Sequence, residues 1–308
     1  MTKVAFIFPG QGSQKVGMGR EAYEESAESR AVFDSADAAL GESLSGLCFE
    51  GPADALKMTA NTQPAILTCS VALLRGLGET PDIVAGHSLG EYSANVAAGT
   101  LSFEDAVRLV RIRGGYMQEA VPVGEGAMSA ILRADAAVVE EVCKDVDGVV
   151  EPVNYNSPGQ IVIAGAAAAV EEAGARLKEA KARVISLPVS APFHSSLMRP
   201  AEERLRPHLA ETEFTDPSVP IVVNVLAAAV VKADRAREAL IEQVSRPVRW
   251  QQSVETMIEA GVQLFVEIGP GKVLCGLSGR INKEIRRINV EGPGDFEAAR
   301  QAISEVRA

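Results

Sequence analysis

One serine stands in a pattern that is typical of a catalytic nucleophile. Residues 86–90 read Gly-His-Ser-Leu-Gly, after the apolar residues 83–85 and before an apolar stripe at helical spacing. This is the strand–turn–helix context of a nucleophile elbow, whose tight turn leaves no room for a Cβ at either glycine. It predicts Ser88 as the nucleophile and directs the Leu89 N–H, at a helix N-terminus, toward an oxyanion formed there. The alternative is an ordinary strand–helix connection that contains a serine.

A serine nucleophile needs a base, and the chain has three histidines to supply one. His87 is the neighbour of Ser88, and neighbouring side chains in an extended segment diverge. His208 lies in a charged helical stretch, where we expect it to be solvated. His194 lies in a loop beside serines that can cap the next helix, and a helix N-terminus favours the neutral imidazole that a base requires. The sequence therefore favours His194 as the base over a polar loop residue.

An arginine on an apolar helix face is the third candidate. Residues 102–105, Ser-Phe-Glu-Asp, form a capping box that predicts the start of a helix carrying Arg113. The residues three and four positions from this arginine are Leu109, Val110, Tyr116 and Met117. An unpaired buried charge costs on the order of several kcal/mol, so the guanidinium requires an anion. That anion is either an internal carboxylate or a substrate carboxylate held bidentately.

A glycine-rich loop follows the first apolar run, residues 4–8, which predicts a buried strand. Residues 9–14 read Pro-Gly-Gln-Gly-Ser-Gln, and Gln11 projects an amide from this loop. Lys15 occupies the position of the third glycine of a dinucleotide fingerprint, which excludes that interpretation. By composition alone, Gln11 is a solvated loop residue.

The elements around these residues predict an α/β protein with two parts. Residues 20–40 and 60–77 have helical patterns, and residues 218–225 and 264–268 have the pattern of buried strands. Residues 124–189 alternate as β-α-β-β-α-β, which is the ferredoxin-like order, with a central turn at residues 154–160. We therefore expect an α/β-hydrolase-like core with a parallel sheet, formed by residues 1–123 and 190–308. Residues 124–189 would form an inserted ferredoxin-like small subdomain.

Composition and charge argue against several classes of function. The 308 residues are 47% hydrophobic and carry a net charge of −11, and no basic block predicts binding to nucleic acid. The longest apolar stretch, residues 219–231, is interrupted by Pro220 and Asn224 and is not expected to span a membrane. The N-terminal apolar run is too short for a signal sequence. The widely spaced cysteines predict reduced thiols and a cytoplasmic location; they are Cys48, Cys69, Cys143 and Cys275.

Six stretches, in a fixed order, extend the pattern over nearly the whole chain. They are residues 8–14 (Phe-Pro-Gly-Gln-Gly-Ser-Gln), 86–92 (Gly-His-Ser-Leu-Gly-Glu-Tyr), 113–118 (Arg-Gly-Gly-Tyr-Met-Gln), 154–160 (Asn-Tyr-Asn-Ser-Pro-Gly-Gln), 192–195 (Pro-Phe-His-Ser) and 267–274 (Glu-Ile-Gly-Pro-Gly-Lys-Val-Leu). Together they resemble the malonyl-CoA:acyl-carrier-protein transacylase family of fatty-acid synthesis, which is related to the acyltransferase domains of polyketide synthases. The resemblance implies malonyl transfer from malonyl-CoA to the phosphopantetheine thiol of holo acyl carrier protein. It implies a malonyl-serine intermediate and no cofactor.

The resemblance also implies a role for each matching residue. Ser88 would be the nucleophile, His194 its base, and Arg113 the group that binds the malonyl carboxylate. The oxyanion hole would be formed by Gln11 and the Leu89 N–H. Further substrate contacts would come from His87, Phe193, Met117 and Asn156.

The residue expected to orient the histidine departs from the family pattern. In some members a glutamine occupies the position of Arg249, and its main-chain carbonyl orients the histidine. A backbone carbonyl survives the change to arginine, so we assign this role to the main chain of Arg249. The result is a Ser–His dyad rather than a triad with a carboxylate.

Three other functions share part of this evidence. A serine esterase or thioesterase would use the same elbow, but it would release the acid to water and give Arg113 no reason to face inward. A catalytically silent module that binds a carrier protein would not need Ser88, His194 and Gln11. An enzyme for acetyl or methylmalonyl groups would keep the chemistry. Arg113 argues against acetyl, and by resemblance Phe193 indicates malonyl rather than methylmalonyl.

The carrier protein of this family is acidic, and so is the chain. We therefore expect a local basic patch where the carrier docks. The candidates are Lys272, Arg280, Lys283, Arg286 and Arg287.

Overall fold

Two β-sheets organise this computed structural model, which describes residues 2–189 and 191–308. The strands are β1 (Lys3–Phe8), β2 (Ile83–Gly86), β3 (Gly126–Leu132), β4 (Val150–Ser157), β5 (Gln160–Ala166), β6 (Arg183–Ser186), β7 (Ile221–Val223), β8 (Ala228–Val230), β9 (Val262–Ile268) and β10 (Arg286–Val290). The helices are α1 (Arg20–Glu25), α2 (Ala27–Leu40), α3 (Leu44–Glu50), α4 (Ala53–Lys57), α5 (Thr59–Leu77), α6 (Gly90–Ala97), α7 (Phe103–Glu119), α8 (Ala136–Lys144), α9 (Ala167–Glu179), α10 (Arg199–Glu211), α11 (Ala233–Glu242), α12 (Trp250–Glu259), α13 (Val273–Ile281) and α14 (Phe296–Arg307). Short 3₁₀ helices span Ser196–Met198 and Pro293–Asp295.

The larger sheet has the strand order β10-β9-β1-β2-β7-β8. Its neighbouring strands are parallel, apart from the antiparallel pair β7 and β8. Ile7 of β1 lies opposite Ala85 of β2, which lies opposite Val222 of β7. Parallel strands place their carboxyl ends at one edge of a sheet, which is where ligands bind in open α/β folds. The glycine-rich loop after β1, Ser88 after β2 and Asn224 after β7 therefore meet at this edge.

Both faces of the larger sheet are covered. In β1, Val4, Phe6 and Phe8 pack into one core cluster, while Ala5 and Ile7 pack into a second cluster on the opposite face. Successive side chains of a strand point to opposite faces, so continuous apolar runs are typical of a parallel strand between two helix layers. The predicted α/β class with a parallel sheet is confirmed.

The second sheet is antiparallel, with the strand order β4-β5-β3-β6. Its strands and two helices follow one another as β3, α8, β4, β5, α9 and β6, and it has its own core around Ile131, Val139 and Ile163. This separate sheet falls within residues 124–189, as the sequence predicted. The second core segment was expected to begin at Ser190, which lies outside the described residues.

Two local expectations were wrong, one where a serine interrupts a helix and one where polar residues lie in a strand paired with β5. The helix predicted over residues 20–40 is broken at Ser26, whose hydroxyl accepts the Ser29 N–H and caps α2. The turn predicted over residues 154–160 is mostly strand, and the chain reverses at Pro158 and Gly159.

None of the described helices is long and apolar enough to cross a membrane.

Candidate active site

The nucleophile elbow is a sharp turn that both of its glycines make possible. A Cβ at Gly86 would overlap the main chain of Gly90, and one at Gly90 would overlap the carbonyl of Phe8. These neighbours are backbone atoms and cannot rotate away. Ser88 itself has φ 52°, in the left-handed region that a non-glycine residue seldom adopts. Leu89 immediately precedes α6, and its N–H has no acceptor among the described residues.

Ser88 and His194 are in hydrogen-bond contact, although they are 106 positions apart in the chain. The distance from Ser88 Oγ to His194 Nε2 is 2.7 Å, and His194 Nδ1 lies 2.7 Å from the main-chain carbonyl of Gln243. A carbonyl only accepts, so Nδ1 carries the proton and Nε2 is free to accept one from Ser88. Burial, and secondly the charge of Arg113, lower the pKa of His194 to about 3. The imidazole is therefore neutral at pH 7, mainly through burial rather than through a helix dipole.

The assignment of Arg249 as the residue that orients the histidine was wrong. The Arg249 carbonyl accepts the N–H and the hydroxyl of Ser253 in the first turn of α12. Gln243 instead follows the last residue of α11, where carbonyl groups lack partners within the helix. Its carbonyl is therefore available for His194 Nδ1.

Arg113 is buried, with 1% of its surface exposed, and its partners are amides rather than carboxylates. Nη1 donates to Gln63 Oε1 at 2.8 Å, and Nη2 donates to Gln243 Oε1 at 2.8 Å and to Ser88 Oγ at 3.2 Å. Nε has no partner among the described residues. The internal salt bridge that the sequence left open is not found among these residues, so the guanidinium lies beside the nucleophile with capacity for an anion.

A cavity of about 120 Å³ opens at Ser88 and His194. Its lining includes most of the predicted site residues, namely Gln11, His87, Ser88, Leu89, Arg113, Met117, Phe193 and His194. Gln11 donates to the Thr59 hydroxyl at 3.3 Å. Asn156 does not contribute to this lining. Its amide oxygen lies 2.8 Å from His87 Nε2, and Asn154 of the same strand lines the cavity. The structure thus places the Asn156 side chain against His87.

Sequence reasoning missed three amides that hold the site together. The Asn224 side chain accepts the Ser88 N–H at 2.7 Å and donates to the Gly86 carbonyl at 2.7 Å, which fixes both sides of the turn. The Gln243 side chain donates to the Ser88 carbonyl at 3.1 Å. Gln63 accepts from Arg113. Asn224 interrupts a run of apolar residues, and a polar residue in such surroundings was the available clue, whereas Gln63 follows two other polar residues and gave no such clue.

The predicted basic patch is not a single surface. Arg286 and Arg287 pair with Leu264 and Phe265 near the start of β9, at the sheet edge opposite the elbow. Lys272 instead follows the end of β9. Arg286 forms an ion pair with Glu305 at 2.7 Å, and Arg280 bonds to Gln160. The basic residues lie close in sequence, but the helix α13 separates Lys272 from Lys283, Arg286 and Arg287, which lie toward the opposite edge of the sheet.

Comparison with known proteins gives a consistent result across sequence and structure. A family model described as acyl transferase domain matches residues 5–288. The malonyl CoA-acyl carrier protein transacylase of Bacillus subtilis is 50% identical over 312 residues, covering 99% of this chain and 98% of its own length. The Escherichia coli K12 protein of the same name is 49% identical over 306 residues, covering 97% and 99%.

Solved structures agree. The Clostridium perfringens malonyl CoA-acyl carrier protein transacylase superimposes with a TM-score of 0.96 at 43% identity, covering 99% of this chain and 98% of its own. A malonyl-transacylase solved in complex with a holo type II PKS acyl-carrier protein superimposes with a TM-score of 0.95 at 43% identity, covering 98% and 100%.

Proposed function

Because the chain belongs to the malonyl-CoA:acyl carrier protein transacylase family, we propose that it transfers malonyl from malonyl-CoA to the phosphopantetheine thiol of holo acyl carrier protein. The reaction supplies extender units for fatty-acid biosynthesis. One observation carries the proposal: the buried Arg113, which has only uncharged partners, donates to the same Ser88 hydroxyl that His194 can deprotonate. A cation fixed at the nucleophile suits an acyl group that carries its own carboxylate.

The first half-reaction forms malonyl-Ser88 and releases coenzyme A. The malonyl carboxylate binds Arg113, through Nε and through donors that now point at amides. Ser88 Oγ attacks the thioester carbonyl while His194 Nε2 takes the hydroxyl proton. The Leu89 N–H and the Gln11 amide stabilise the oxyanion, and one such donor typically contributes about 3 kcal/mol. The C–S bond then breaks, and His194 returns the proton to the thiolate of coenzyme A.

The second half-reaction repeats these steps in the opposite direction. His194 takes the proton of the carrier's phosphopantetheine thiol, and the thiolate attacks the carbonyl of malonyl-Ser88. The ester bond to Ser88 breaks, and His194 returns the proton to Oγ. The Gln243 carbonyl stabilises the imidazolium in both halves by accepting from Nδ1. The enzyme therefore follows ping-pong kinetics.

The architecture supports a cleft between two parts of the chain. The larger sheet with its elbow fits an α/β-hydrolase-like core of residues 1–123 and 190–308. The order β4-β5-β3-β6 fits a ferredoxin-like subdomain of residues 124–189. Leu187 and Asn154 from the smaller part line the cavity together with Ser88 and Arg113 from the larger. We further propose a cytoplasmic location.

Intact-mass measurement after brief mixing with malonyl-CoA tests the function. Wild-type protein should gain one malonyl group, and Ser88→Ala should gain none. On addition of a phosphopantetheinylated carrier, the malonyl mass should move from the enzyme to the carrier. An adduct that decays to free malonate and ignores the carrier would identify a thioesterase and overturn the proposal.

A further inference from the structure

A buried carboxyl group on the elbow helix has no part in the steps above. Glu91 is the second residue of α6, and none of its surface is exposed. Its Oε2 accepts the main-chain N–H of Asn224 at 2.7 Å. Its Oε1 has no hydrogen-bond partner among the described residues. A carboxyl that is fully buried with one oxygen unused is costly to keep charged, so its presence beside the nucleophile calls for an explanation.

The charged group whose field acts on Glu91 is Arg113, on the neighbouring helix α7. Glu91 and Arg113 are not in direct contact, but the Gln243 side chain interacts with both of them. It accepts from Arg113 at 2.8 Å, and it favours the charged form of Glu91. Tyr92, the adjacent titratable residue, faces the Arg113 guanidinium with its ring 5.6 Å away. In its charged form, therefore, Glu91 is a buried negative charge that interacts with the buried positive charge of Arg113.

Among the described residues, Arg113 is the charged group of the surrounding elements that acts on Glu91, although α7 also carries Glu104, Asp105, Arg108, Arg111 and Glu119. β2 and β7 contain no charged residue. The charged residues of β1 and α5 are Lys3 and Arg75, at the ends remote from the elbow. Glu242 at the end of α11 is engaged with Arg235 at 3.5 Å and with Arg246 at 3.6 Å. Glu91 and Arg113 can therefore be treated as one pair.

We infer that Glu91 acts through Arg113: its carboxylate balances the guanidinium while the pocket is empty and takes up a proton from solvent when the malonyl carboxylate binds. This inference rests on the proposed function. Two carboxylates against one guanidinium would leave a buried negative charge uncompensated, and protonation of Glu91 removes it. Oε1 is the oxygen free to receive the proton, and Oε2 can keep its bond to Asn224.

Burial raises the pKa of Glu91 to about 7, so its proton uptake can be measured between pH 6 and pH 8. At pH 6 most molecules already hold the proton, whereas at pH 8 most must acquire it on binding. If binding requires the protonated form, the Kd for malonyl-CoA should rise about tenfold between pH 6 and pH 8. Glu91 is then a positioning residue that sets the affinity of Arg113 without touching the substrate.

Calorimetric titration of Ser88→Ala with malonyl-CoA, in buffers of different ionisation enthalpy, measures the proton directly. We expect uptake of about half a proton at pH 7 and about nine-tenths at pH 8. Acetyl-CoA carries the same phosphates but no acyl carboxylate, so it is the reference ligand. Uptake at pH 8 that is equal for the two ligands would overturn the inference.

A variant pair gives a second measurement. In the Ser88→Ala background, Glu91→Gln keeps an oxygen for the Asn224 N–H but removes the titrating group. It should abolish the extra proton uptake and make the Kd for malonyl-CoA nearly independent of pH. Glu267→Gln is the matched control, because Glu267 is also buried and accepts two main-chain N–H groups, at the start of α13. It should retain the uptake.

The two proposals can fail separately. If wild-type protein transfers malonyl but shows no carboxylate-dependent uptake, the role of Glu91 is refuted and the proposed function stands. If wild-type protein forms no malonyl-Ser88, both are refuted. Should Glu91→Gln fail to fold, the titration of Ser88→Ala still decides.

Discussion

Replacement of Arg113 by alanine should remove most of the preference for malonyl over acetyl groups. The malonyl carboxylate is expected to form a buried, charge-assisted pair with this guanidinium, and loss of one partner of such a pair costs about 3–5 kcal/mol. That cost corresponds to a fall in kcat/KM of about 150- to 5,000-fold for malonyl-CoA. Acetyl-CoA has no carboxylate. It loses only the contact of Arg113 with Ser88 and the anchoring of Gln63 and Gln243, for which we expect about tenfold or less.

Competition between the two thioesters measures this ratio directly. Equimolar malonyl-CoA and acetyl-CoA are mixed briefly with enzyme, and the intact mass reports the acyl group on Ser88. Arg111→Ala is the control: it lies on the same helix but bonds to Asn61 and Glu42 rather than to the site, so the ratio should not change. An unchanged malonyl-to-acetyl ratio in Arg113→Ala would show that Arg113 is a structural residue and would refute the reasoning.

Four further outcomes follow from the packing and from the shifted pKa values. Gly90→Ala should lower the free energy of unfolding by about 3 kcal/mol or more in denaturant unfolding, because the new Cβ would overlap the carbonyl of Phe8. Gly115→Ala is the control, since this mid-helix position has open space, and it should be neutral or stabilise the protein by up to about 1 kcal/mol. At saturating malonyl-CoA the rate of Ser88 acylation should stay constant from pH 8 to pH 5, since the pKa of His194 is lowered to about 3; a loss with a midpoint near 6.5 would contradict this. The same shift predicts that His194 favours unfolding increasingly as pH falls from 6.5, because the unfolded chain binds the proton more readily. Burial raises the pKa of Cys69 to about 12, so this thiol should resist Ellman's reagent at pH 8 until the protein is unfolded in guanidinium chloride.

The parts of the site that the sequence predicted are those that demand particular side chains. The elbow was predictable because sterics require glycine at both Gly86 and Gly90, and the structure shows backbone atoms where each Cβ would lie. Arg113 was predictable because helical spacing placed a charge among apolar neighbours, and it is indeed buried. The two sheets followed from apolar runs and from the alternation of strands and helices within residues 124–189.

The parts that escaped prediction depend on main-chain groups or on tertiary placement. A carbonyl that orients a histidine can belong to any residue type, so nothing in the sequence distinguished Gln243 from Arg249. Buried amides such as Asn224 are uncharged, and composition does not show which partners they meet. The five basic residues were expected to form one patch because they are close in sequence, but the helix α13 places Lys272 apart from Lys283, Arg286 and Arg287.

Gln243 has a consequence for how acyl-group preference can change. Its carbonyl accepts from His194 Nδ1, while its side chain accepts from Arg113 and donates to the Ser88 carbonyl. A substitution of Arg113 that changes the acyl preference therefore removes a hydrogen-bond partner of the Gln243 side chain. The main-chain carbonyl of the same residue orients His194, so the base can be displaced as well. Specificity and turnover are in this sense epistatic, and single changes at the two positions should combine non-additively. A library meant to evolve a new acyl preference would have to vary both positions together, because a path of independent single steps passes through variants with a misplaced base.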